Sequence, residues 1–261
     1  MLLNEPGRTD YDLTFNLFGF EVRTHPAFFI MPILLGRGFL SAFQNSVNTG
    51  VGWLVLIAVF WLSVLIHELG HTFAFRFYGI HSRIVLYWMG GLAIPDGANV
   101  WRSRRSNSLR PGQQIVVSLA GPVAGLLLSG VLCLLVYSLG GKIGFGSFLF
   151  PIPLPDFEGA VVPTAGVVAL IFWSGILLNF LMNLFNLVPI FPLDGGQIAR
   201  QIMIQADPRE GLRNSIFLSL AACVGMILLC LKFGNEFGAI FFGFMAFSNY
   251  QSLQGFGGSR W

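Results

Sequence analysis

The sequence predicts an all-α polytopic membrane protein of about six transmembrane helices, with a small membrane-associated β-hairpin or sheet. Three observations lead there. Of the 261 residues, 54% are hydrophobic and only 10% are charged, against roughly 25% in soluble domains. Apolar stretches of spanning length recur along the chain, where about 20 residues at ~1.5 Å rise cross a ~30 Å hydrocarbon core. The few cations gather in alternate connections. This composition excludes a soluble globular enzyme, a disordered chain and a nucleic-acid binder. The net charge is +3, from 15 Lys+Arg and 12 Asp+Glu, so the basic excess is small.

The elements follow in order. Met1–Tyr11 is polar and unlike a cleavable signal, so the first apolar segment is expected to be retained. Leu13–Arg23 (LTFNLFGFEVR), with a glycine in its middle, is expected to pair with a later strand. A first span over 26–43 is interrupted by Pro32 and Arg37, and is therefore short, kinked or partly interfacial. The second covers 51–75. Arg83–Ile94 (RIVLYWMGGLAI) is β-branched, aromatic and split by Gly90–Gly91, which predicts an interfacial hairpin. The run WRSRRSNSLR at 101–110 reads as a topogenic loop rather than a lipid-headgroup patch. Further spans are expected at 114–139, 165–187, 215–231 and 237–250, with a Pro-rich connection at 140–163. Cys133, Cys223 and Cys230 lie among apolar residues without paired spacing and read as small core residues. There is no internal repeat, and residues 1–261 read as a single intramembrane domain.

Cation placement sets the orientation, because Lys and Arg in short loops stay on the cytoplasmic side. With six spans, twelve arginines from Arg8 to Arg260 fall on one side, and Lys142 and Lys232 on the other; Arg37 is left over. Both termini are therefore expected to be cytoplasmic.

Inside the second span stands VLIHELGHTFAF. Ionisable groups in an apolar span are costly, and here His67, Glu68 and His71 come together. The two histidines project from one helix face, one turn apart, a spacing that lets both imidazoles reach one ion. Glu68, beside the first ligand, is placed to hold a metal-bound water: this is the HExxH pattern of zinc hydrolases. His67 lies nine residues before Arg76, or about 13 Å along a helix. That depth puts the ion in the cytoplasmic half of the bilayer. Catalytic zinc takes three protein ligands and an open position. His25 and His81 fall at span ends. Asp194 instead follows the uncharged run Gly159–Leu193 in NLVPIFPLDGG, where Pro189 and Pro192 stop a helix. Asp194 is expected as the third ligand, the alternative being a cap on a new helix beginning near Gln197. The intervening run is expected to be extended.

Together these residues resemble the site-2 protease family of intramembrane zinc metalloproteases. HELGH in a span carries His67, Glu68 and His71; N-x-x-P-x-x-P-L-D-G carries Asn186, Pro189, Pro192, Leu193, Asp194 and Gly195. Ser118–Gly125 repeats the family's S-L-A-G-P-x-x-G, and Phe15–Phe29 its opening strand and first span. Phe191 stands where the family commonly has proline. The resemblance implies one catalytic Zn2+, zinc-activated water with Glu68 as general base, and hydrolysis of a peptide bond in or near a transmembrane segment of a membrane-protein substrate. It also assigns Asn186 a substrate-positioning or oxyanion-stabilising role. Asn179, Asn183 and Asn186 form a stripe at helical spacing, in which interhelical bonding suffices for the first two. A helical substrate must unwind to be cut, and the 83–94 edge is expected to receive it by strand addition. The expected partners are the substrate and membrane lipid, with no nucleic acid. The family's added PDZ or CBS modules do not fit the short connection at 140–163 or the short end after the last span, so a minimal form is expected.

Residues weigh against the rival readings, of which a polytopic membrane metal transporter or a non-catalytic metal-binding scaffold is the alternative. A serine–histidine dyad needs a histidine after His81, and an aspartyl pair needs a second intramembrane Asp. A prenyl-protein type of HExxH enzyme needs a Glu as third ligand, but Glu210 and Glu236 sit near polar ends. A metal transporter would string polar groups across the full membrane, whereas these cluster at one depth. A non-catalytic metal-binding scaffold has no need of an intact Glu68.

Overall fold

The computed structural model describes residues 5–41, 43, 45–95, 109–140, 144–149, 152–156 and 166–257. Residues 101–108 of the arginine-rich run, Lys142, Glu158 and Arg260 lie outside the described residues. The chain divides into two compact units: Leu3–Asn107 with Val123–Asn183, and Met1–Leu2 with Ser108–Pro122 and Leu184–Trp261.

In the first unit, Leu13–Arg23 is a hairpin rather than a single strand. β1 (Leu13–Leu17) and β2 (Phe20–Thr24) pair antiparallel with Leu17 opposite Phe20. The two-residue turn has positive φ at both Phe18 and Gly19, a twist that matches the strands it joins. A 3-10 turn, Pro26–Phe29, leads into α1 (Ile30–Ser41). Pro32 does not break α1, because it falls in the first turn where its missing N–H has no intrahelical partner. At 12 residues, α1 is about 18 Å long and shorter than a span. The 29-residue α2 (Thr49–Phe77) is capped by the Asn48 side chain, which accepts from Gly50 and Val51 N–H. β3 (Ser82–Tyr87) and β4 (Gly90–Pro95) form the expected hairpin. β3 also pairs parallel with β2, Val22 opposite Ile84, so the sheet order is β1-β2-β3-β4. Parallel pairing demands a long crossover, and α1 with α2 supplies it.

One apolar core joins the sheet to the later half of α2. Phe20, Val22, Ile84 and Leu86 meet Phe60, Val64, Leu65 and Leu69. Arg76 closes this junction, lying 3.7 Å from the Phe20 ring centroid and donating to the Phe18 carbonyl at 2.7 Å. Arg23, counted above among the topogenic arginines, is instead buried. It donates to Asp12 at 2.8 Å, to Glu5 at 2.9 Å and to the Pro6 carbonyl at 2.9 Å. A buried guanidinium needs such partners to offset desolvation. The Thr9 hydroxyl, donating to Asp12, and then Arg23 hold the Asp12 carboxyl down at about 2 against the opposing effect of burial.

α3 (Pro111–Ser138) and α4 (Val167–Asn186) are long and apolar. Between them the Pro-rich connection contains a hairpin, β5 (Gly144–Leu149) with β6 (Ile152–Asp156). Both of its strands are edges, where proline is tolerated. In the second unit, α5 (Asp194–Ala206) and α7 (Glu236–Gly257) each pack on α6 (Gly211–Lys232).

Among the described residues α2, α3, α4 and α6 are long and apolar enough to cross a membrane. α7 has the length, but its second half carries Ser248, Asn249, Gln251 and Ser252. Leu54, Leu127, Val168 and Leu228 stand exposed, one on each of the four apolar helices, a surface that lipid accepts and water does not. The protein is an integral membrane protein.

Candidate active site

α2 carries three buried ionisable side chains, His67, Glu68 and His71. The helical repeat turns the two imidazoles to one side, with ring centroids 4.7 Å apart and planes at 80°. Their Nε2 atoms approach to 3.1 Å. One ligand atom from each of the three residues lies within 4.8 Å of the others, so the group offers a metal ion its donors from a single helix face. The Nδ1 of His67 is already engaged, 2.7 Å from the Oδ1 of Asn183 on α4.

Glu68 faces the sheet. A Cβ added at Gly91 of β4 would overlap the Glu68 carboxylate, so the strand reaches this close only because residue 91 is glycine. Next to it on β3, burial and then the Glu68 carboxylate push the Tyr87 phenol up to about 12. Tyr87 therefore remains a neutral O–H near the site. β4 is an outer strand of its sheet, paired along one side by β3.

α4 meets α2 through two polar rungs. Asn179 donates to Ser63 Oγ at 2.9 Å, and one turn further along both helices Asn183 reaches His67. Equal steps in the same direction mean that the helices run parallel here. Gly125 of α3 leaves the space that the Asn183 amide fills. Sequence reasoning left Asn183 as an interhelical tie, and its contact to a candidate ligand is new. The signal was its position, three residues before Asn186 on the same stripe.

Asn186 and Asp194 belong to the second unit. Asn186 is the last residue of α4. α5 begins at Asp194, three residues earlier than expected, and the preceding run is a series of turns rather than an extended segment. The N-cap of α5 is Leu193, and no side chain caps it. Asp194 is buried in the first turn. Gly195 and Gly196 lie against the backbone of Leu187–Val188 and Ile190–Phe191, too close for a Cβ. Two residues unforeseen from sequence hold this turn: the Phe191 N–H donates to Ser219 Oγ at 3.0 Å, and Asn249 Nδ2 donates to the Phe191 carbonyl at 2.6 Å. Proline at 191 would have no N–H to give. Ser219 stands alone in an apolar stretch of α6, which is the signal it carried, whereas Asn249 falls among the other polar residues of α7.

The fold and the α2 site define a class, an integral membrane protein with a buried HExxH helix whose side chains could hold a metal ion. Residues 55–231 match peptidase family M50, and the chain belongs to that family. It is 27% identical over 222 residues to a zinc metalloprotease of Methanocaldococcus jannaschii, covering 84% of this chain and 52% of that protein. A relative from Synechocystis is 30% identical over 199 residues, covering 73% of this chain and 43% of the relative. The chain thus spans about half the length of the curated relatives it matches. The solved site-2 protease from Methanocaldococcus jannaschii superposes with a TM-score of 0.56 at 23% identity, covering 93% of this chain and 95% of that one; the two share a fold.

Proposed function

We propose that this chain is an intramembrane zinc metalloendopeptidase that hydrolyses a peptide bond in or near a transmembrane segment of a membrane protein. The observation that carries this reading is the convergence of His67 Nε2 and His71 Nε2 at 3.1 Å, beside a buried Glu68, within an apolar helix. Neutral imidazole nitrogens fit zinc, and the engaged Nδ1 of His67 leaves its Nε2 for the ion. When bound, zinc supplies Lewis acidity, lowering the pKa of a water ligand to about 7 and polarising a carbonyl.

The chain's own residues divide the remaining work. Glu68 takes a proton from the attacking water and returns it to the leaving amine. Asp194 is the third ligand; support comes from its burial and from an α5 whose N-cap is Leu193. Asn186 stabilises the developing oxyanion or positions the substrate. The substrate unwinds and adds as a strand to the outer edge of β4, whose Gly91 abuts Glu68. Cationic loops hold both termini in the cytoplasm, with the site in the cytoplasmic half of the bilayer.

The test uses the purified chain reconstituted with a single-span substrate. Glu68→Gln is expected to retain zinc and abolish cleavage; equal turnover by the variant and wild type overturns the enzyme reading. Asp194→Asn is expected to lower zinc content, and unchanged stoichiometry removes it from the ligand set. Cleavage undiminished after replacement of 83–94 by Gly/Ser removes the strand-addition step.

A further inference from the structure

The fully buried Asn183 side chain has both ends occupied. Its Nδ2 donates to the Asn179 carbonyl at 2.6 Å. A backbone carbonyl only accepts, so the amide nitrogen must be the end turned toward Asn179. That leaves Oδ1, itself only an acceptor, 2.7 Å from His67 Nδ1. The hydrogen between them must therefore sit on Nδ1. A neutral imidazole carries one N–H, so Nε2 keeps its lone pair. The same Nε2 faces the Nε2 of His71 at 3.1 Å.

The surroundings hold this orientation. A Cβ at Gly125 would fall on the Asn183 amide, so the backbone of α3 lies directly against this fully buried side chain. One turn earlier, Asn179 is tied to Ser63 Oγ at 2.9 Å and to the Gly175 carbonyl at 2.7 Å, which keeps α4 in register with α2. We propose that Asn183 is a positioning residue that locks His67 in its Nδ1–H tautomer and so presents Nε2 to zinc. The inference rests on the zinc reading of His67 and His71. It adds a residue from outside the two motifs, acting through a ligand rather than on the substrate.

The experiment measures zinc affinity of the purified full chain by chelator competition, and the visible spectrum of the cobalt-substituted protein. The variants are Asn183→Leu, Asn183→Asp and His67→Ala, and melting of the metal-free protein reports folding. Asn183→Leu is expected to bind zinc about 10–100-fold more weakly and to shift the cobalt spectrum. Asn183→Asp retains an acceptor at the same place and is expected to recover about tenfold of that loss. If Asn183→Leu does not fold, Asn183→Ala is read against Asn183→Asp in the same way. Affinity unchanged in the folded acceptor-free variant overturns the proposal, as does equal weakening by that variant and Asn183→Asp, which would mark a packing role. Failure of the zinc reading itself shows differently: wild type and His67→Ala would then bind zinc alike.

Discussion

The two rungs between α2 and α4 use the same chemistry to different ends. Ser63 and His67 are one turn apart on α2, and Asn179 and Asn183 are one turn apart on α4. Asn179 spends its amide nitrogen on Ser63 and Gly175, while its Oδ1 lacks a hydrogen-bond partner among the described residues. Asn183 uses both ends, one on backbone and the other on a histidine of the candidate metal site. The first rung joins helices, and the second ends on a candidate metal ligand. A buried amide in an apolar span is thus read by where its hydrogen bonds terminate, since burial alone does not separate the two.

The largest break in this comparison is expected from Gly125→Leu. Its side chain must displace the Asn183 amide; overpacking costs about 1–3 kcal/mol, and zinc affinity falls with the loss of the rung. Chelator competition and thermal melting separate the two effects. Gly91→Ala pushes instead on Glu68. With a misplacement of ~1 Å worth about 10²-fold, cleavage should drop by that order while zinc stoichiometry holds. A smaller change sharpens the contrast. Ser63→Ala with Asn179→Leu removes both partners of the first rung, which is close to neutral when a pair is replaced by apolar groups, within about 1 kcal/mol; melting should shift little, and zinc binding should weaken far less than in Asn183→Leu.

The smallest effect lies away from the rungs, at Asp12. Its carboxyl is held at about 2, below the ordinary 3.8, chiefly by the Thr9 hydroxyl and then by Arg23. A depressed carboxyl contributes stability that is present above pH 4 and is lost as pH falls toward 2. Melting temperature followed over that window should decline less in Asp12→Asn than in wild type.

The membrane class and the HExxH group were legible because each depends on local spacing. Twenty apolar residues have one favourable environment, and positions 67 and 71 share a helix face whatever packs around them. The β3–β4 hairpin was readable from composition and its glycines. Other features were hidden. α1 is short because the chain turns through Pro26–Phe29 first. Arg23 is buried because Glu5, Pro6, Gly7 and Asp12 fold back onto it, a tertiary choice that loop counting does not register.

The contrast is sharpest at residues 67 and 183. From sequence alone, His67 was a ligand candidate, since an ionisable group in an apolar helix needs a compensating partner and His71 stands one turn away. The partner that its Nδ1 meets is 116 residues further along. Only the tertiary structure decided that, by bringing α4 beside α2 in register and by leaving at Gly125 room for one amide. Local periodicity determines which face a side chain takes; the packing of distant helices determines which atom that face meets.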